Sequence, residues 1–124
     1  MGTQLNRKSE EEKAAAAQDS DPAYTFLPDL NEIIKEIPPD TIISREVFRD
    51  EQMKAILFGF APGQELSEHT ASRPALLHFL QGEAQVTLGK DQFMVKAGAW
   101  AHMPAHLPHS INALSPTVML LLMI

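Results

Sequence analysis

The stretch ALLHFLQGEAQVTLG, residues 75 to 89, holds two β-strands of different character on either side of a glycine. In its second half Ala84, Val86 and Leu88 alternate with Gln85 and Thr87, the two-residue period of a strand with one face buried. Its first half, ALLHFL, is apolar on both faces, as in a strand covered on both sides. Only His78 interrupts it. Gly82 marks the turn between the two.

The same grammar extends outward in both directions. From Thr41 onward the chain consists of short runs rich in Val, Ile, Phe and Leu. They are broken at Pro62-Gly63, at Gly89-Lys90-Asp91 and at Ala97-Gly98, and they end in a second two-faced apolar run, VMLLLMI, at 118–124. Residues 41–124 therefore read as β. Upstream, PDLNEIIKEIPP sets Leu30, Ile33, Ile34 and Ile37 on one helical face, with Asp29 and Glu32 spaced as a capping box and Pro38 as a stop, which predicts a short helix over 28–37. Residues 1–22 carry almost no large apolar side chain to offset the entropy of ordering, and read as a flexible tail before one domain spanning 23–124.

Composition narrows the function. With 124 residues and 44% hydrophobic content the chain has material for one core. Sixteen acidic against ten basic side chains give a net charge of −6, which opposes binding to nucleic acid or to an anionic membrane surface. VMLLLMI is far shorter than the roughly 20 residues of a spanning helix, and no signal segment opens the chain, so a cytoplasmic protein is expected. There is no cysteine, so any metal must rest on nitrogen and oxygen. Nothing has the spacing of a nucleophilic triad, and the glycines are scattered as turn residues rather than gathered into a phosphate loop. The two-faced strands call for a second layer outside the barrel, which a second copy of the chain would supply, so a homodimer is expected.

Gly63, five residues and His69, followed by Gly82 and EAQVTLG, resemble the first motif of the cupins. G98-AWAHMPAHLPHSI-N112 resembles the second, with Pro104, His109 and Asn112 in register. The tract is similar to the small single-domain cupins of bacteria. The resemblance implies an all-β double-stranded β-helix, a jelly-roll barrel, and a metal site of two histidines, a carboxylate or amide, and a third histidine. Here the matching positions are His69, Ala71, Ala75 and His109, so two of the four ligands are alanine.

Two imidazoles alone hold a divalent Fe, Mn, Ni, Cu or Zn weakly, and low occupancy is expected. Counting by twos from Ala75 turns Leu77 and Phe79 inward and His78 outward, and the same alternation puts His102 beside Trp100 on the outer face. A bulge at Pro74 would reverse this and bring His69, His78, His102 and His109 together as a four-histidine site. Ser67, Ala71, Ala75, Leu77, Phe79 and Met103 read as the lining of an apolar pocket. His106 stands where the motif has glycine and reads as a turn residue at the pocket rim. Two functions follow: a binding module for a small organic ligand, favoured by the alanines, or a metal-dependent enzyme of dioxygenase, isomerase or lyase type, with His78 or His102 completing the shell.

Overall fold

Among the described residues nine strands form where the sequence alternates or turns fully apolar. They are β1 Ile42–Arg49, β2 Lys54–Phe60, β3 Glu65–His69, β4 Ala75–Gln81, β5 Glu83–Leu88, β6 Asp91–Lys96, β7 Trp100–Met103, β8 His109–Ala113 and β9 Thr117–Met123. The computed structural model describes residues 23–124, and the expected tail, 1–22, lies outside them. All strand pairings are antiparallel. They make one sheet in the order β1-β2-β9-β4-β7 and a second in the order β3-β8-β5-β6, the two-layer arrangement expected of a jelly roll. β4 and β5 are consecutive in the chain but belong to different sheets, so Gly82 is a corner between layers.

The inner faces of the two sheets meet in a core of Phe60, Leu77, Phe79, Val86, Met103, Ile111 and Met119, each at most 2% exposed. A second, smaller core lies outside the five-stranded sheet, where Leu57 and Val118 pack against Ile34 with Ile33, Ile37 and Leu120 around them. Part of the cover that the sequence pattern assigns to a second copy thus comes from the chain's own segment.

That segment is not the expected helix over 28–37. Only a single 3-10 turn forms, Leu30–Glu32, with the Asp29 side chain accepting from the Asn31 N–H at 2.9 Å. Glu32 and Ile33 close i to i+3 bonds onto Asp29 and Leu30, and the chain then runs without regular structure to Pro38. Packing overrides the helical spacing because so short a helix is unstable alone and the residue before Pro38 is biased to extended backbone. Ile34 and Ile37 are pressed instead against Gly59, where an added Cβ would stand 3.0 Å and 3.1 Å from their side chains. Gln81 ties the turn down by donating to Asn31 Oδ1 at 2.8 Å.

Candidate functional site

His69 and His109 face each other across β3 and β8, as a directly opposed pair with ring centroids 4.2 Å apart and planes tilted by 56°. A register shift makes this possible. Leu66 pairs with Ile111, and two residues, Ser67 and Glu68, then oppose Ser110 before His69 meets His109. Each Nδ1 lies against a backbone carbonyl two residues back, Ser67 O at 2.8 Å for His69 and Leu107 O at 3.0 Å for His109. A carbonyl only accepts, so each Nδ1 carries a proton, and in the neutral ring Nε2 is the acceptor. The pair is therefore a twin acceptor, with His109 buried and His69 open to solvent.

Burial holds the His109 imidazolium below the ordinary histidine value, partly offset by the Leu107 carbonyl and lowered further by the neighbouring charge of His69. The fold thus binds this proton less readily than the unfolded chain does. Between the two pKa values the unfolded chain holds more protons, so stability falls as pH drops through the ordinary value of 6.5 and levels off only below the folded value. We expect urea midpoints measured at about pH 8 and about pH 5.5 to drop more for the wild type than for His109→Gln. Equal acid sensitivity in the two proteins would show that this proton carries no linkage.

The other histidines do not join the pair. β4 alternates from Ala75 to Phe79, with its register shift only beyond Phe79, so no bulge at Pro74 turns it over: Ala75, Leu77 and Phe79 are buried while His78 is exposed, opposite Trp100 and Leu120. His102 is exposed opposite Leu76 on the same outer face. The four-histidine alternative is thereby corrected, and among the described residues no three His, Asp or Glu side chains gather into a metal-sized group. His106 stands in the left-handed region at φ 69° and donates its N–H to Ala71 O at 2.7 Å, which ties the 104–108 loop to the loop before β4. Ser67 is exposed and serves the site through its carbonyl rather than as an inward side chain, because the bulge gives the inward position to Leu66. Ala75, Leu77 and Met103 are packed into the core.

An apolar groove of about 280 Å³ opens between the edge strands β6 and β7. Phe79, Val86 and Leu88 form its floor, and Phe93, Met94, Val95, Ala99, Trp100 and Ala101 line the rest. Of these, Phe79 and Val86 belong to the apolar interior expected from the sequence. The signal for the others is DQFMVK, a strand whose Phe93 and Met94 sit on opposite faces and are nevertheless both about half exposed or more. Leu88 is the cross-strand partner of His109, so the imidazole and a groove-lining side chain are neighbours on one face. A larger groove, about 470 Å³, lies between residues 23–30 and the outer side of the five-stranded sheet, on Ala55 and Leu120, away from His69 and His109.

A family profile described as "Cupin domain" matches residues 56–124, more than half of the chain, and the chain belongs to this family. Its fold matches a cupin superfamily protein from Desulfitobacterium hafniense with TM-score 0.73 and 27% identity, over 83% of this chain and 93% of that one. A conserved Streptococcus pyogenes protein of unknown function matches with TM-score 0.72 and 26% identity, over 83% and 90%. A cupin 2 conserved barrel domain protein from Leptotrichia buccalis matches with TM-score 0.69 and 28% identity, over 75% of this chain and 45% of that one. No curated protein matches. The family implies a metal, but two imidazoles fall short of the three or four protein donors that hold a resident transition metal, so the donor set here does not fit one.

Proposed function

We propose that this cupin binds a small apolar molecule carrying a hydroxyl or similar hydrogen-bond donor. The apolar part lies in the β6–β7 groove and the donor meets the free Nε2 of His109, with His69 beside it. The observation that carries this reading is the adjacency of His109 and Leu88, which brings an imidazole next to one side chain of a mainly apolar groove. Sites of this kind, apolar with one or two placed polar groups, are the ordinary form of small-ligand pockets. Alanine at 71 and 75 removes the bulk that metal-ligating side chains would bring.

Two bicyclic probes differing by one hydroxyl test it. 2-Naphthol is expected to bind more tightly than naphthalene by about five-fold, the net effect of one hydrogen bond, and His109→Ala should abolish that preference without abolishing binding. Equal affinities in the wild type would refute the acceptor role. Elemental analysis of the same samples, after chelation and re-exposure to Fe(II), Mn(II), Ni(II), Cu(II) and Zn(II), should find substoichiometric metal, lost in His69→Ala and His109→Ala and retained in His78→Ala. Near-unit occupancy that survives chelation would move the metal-dependent enzyme ahead of the binding module.

A further inference from the structure

The lining of the β6–β7 groove is aromatic beyond what folding requires. Of the chain's aromatic residues, six Phe, one Trp and one Tyr, three belong to it: Phe79 on the floor, Phe93 on β6 and Trp100 on β7. Phe79 is 2% exposed and serves the core, whereas Phe93 and Trp100 are 49% and 62% exposed, so folding alone does not bury them. Phe93 is the cross-strand partner of the buried Val86 and stays half open because β6 and β7 are margins of different sheets that do not pair with each other. Met94, also exposed, adds a thioether at the β6 margin. The link between the two margins, residues 97–99, is fixed to the groove floor. Gly98 N–H donates to Phe79 O at 2.8 Å, Phe79 N–H donates to Ala99 O at 2.9 Å, and Ala99 N–H donates to Lys96 O at 3.0 Å. The groove is thus a slot already formed in the folded chain. Apart from the Met94 sulfur, the indole N–H of Trp100 is the only polar side-chain group among its lining residues.

We propose that the ligand of this groove is a flat aromatic molecule of one or two rings, clamped by Phe93 and Trp100, and that these two side chains select it over an aliphatic molecule of the same size and polarity. The proposal rests on the groove reading above and narrows it. A charged or sugar-like ligand would lose its water and find no partner among these residues, so selectivity comes from shape and from ring faces. An alkyl ligand gains as much from Val86, Leu88 or Val95 as from a phenyl ring. An aromatic ligand gains in addition from oriented ring–ring contacts with Phe93 and Trp100 and from the Met94 sulfur beside it. At about 280 Å³ the groove is small for a ligand site, which suits one or two rings and not a long chain. The two rings that folding leaves open are then covered when the ligand enters.

2-Naphthol and its saturated counterpart 2-decalol test this on the full chain, because they share a carbon skeleton and a hydroxyl and differ in ring faces and thickness. The wild type should bind 2-naphthol about ten-fold more tightly than 2-decalol, with the naphthol ring protons displaced upfield in the NMR spectrum of the complex. Phe93→Leu and Trp100→Leu, both at exposed positions, should keep the circular dichroism melt of the wild type and each reduce the preference to about two-fold or less. Tyr24→Leu, at an equally exposed aromatic of the larger groove, should keep the full preference. Equal affinities in the wild type overturn the clamp and leave the groove reading in place. A preference that survives both Phe93→Leu and Trp100→Leu, or that disappears with Tyr24→Leu, also overturns the clamp, the latter by placing the ligand in the larger groove. If neither compound binds, the groove reading fails and the clamp with it.

Discussion

Replacing Gly82 by alanine is expected to leave little folded protein. Gly82 stands at φ +88°, where an L side chain costs about 1 kcal/mol. The greater penalty is steric: a Cβ there would collide with the Pro116 carbonyl oxygen and stand 2.7 Å from Thr117 Cα. The 115–117 backbone cannot yield easily. Glu83 O accepts from Leu114 N at 2.8 Å and from the fully buried Thr117 hydroxyl at 3.2 Å, and Glu83 N donates to Ser115 Oγ at 2.9 Å. Moving 115–117 aside means opening the corner that joins the two sheets. We expect a loss of about 4 kcal/mol or more, a large part of a typical domain's stability. Gly98→Ala is the control, at φ +99° with nothing within 4 Å of the added carbon, and should cost about 1 kcal/mol. Soluble yield and urea midpoint decide it: equal losses for the two variants would show that conformational freedom, rather than the clash with Pro116, is what Gly82 provides.

Gly82 also shows which parts of the architecture can be read from the chain. Strand period and turn residues are local properties, so the ALLHFLQGEAQVTLG hairpin-like corner, the outward facing of His78 and the inward facing of Leu77 and Phe79 are all visible in a few consecutive residues. The opposition of His69 and His109 is not local. It depends on a bulge at Ser67 and Glu68 that no turn residue announces, and counting by twos from His69 therefore turns Ser67 inward where the fold turns Leu66. The groove is hidden for a different reason. It exists because β6 and β7 are sheet edges that no strand closes, and edge position is a property of topology, not of composition.

The departure from helix at 28–37 belongs with these non-local cases and leads to the second large effect. Isoleucines at 33, 34 and 37 fit a helical stripe and equally fit a strap lying over a sheet, and the choice is made by Gly59, whose missing side chain lets Ile34 and Ile37 sit directly on β2. Ile34, 3% exposed, closes the outer core over Leu57 and Val118. Its truncation, Ile34→Ala, is expected to cost about 3 kcal/mol and to lower the melting midpoint by on the order of 10 °C. Two shortened chains separate the strap from what precedes it. A protein beginning at Ala23 should melt within about 3 °C of the full chain, since residues 1–22 offer almost no apolar area to bury. A protein beginning at Thr41 would bare Leu57 and Val118 across the sheet and should aggregate or lose its cooperative transition. If instead the Thr41 protein melts like the full chain and is a dimer in sedimentation, the outer core is covered by a second copy and not by the strap, and the Ile34→Ala loss should vanish with it.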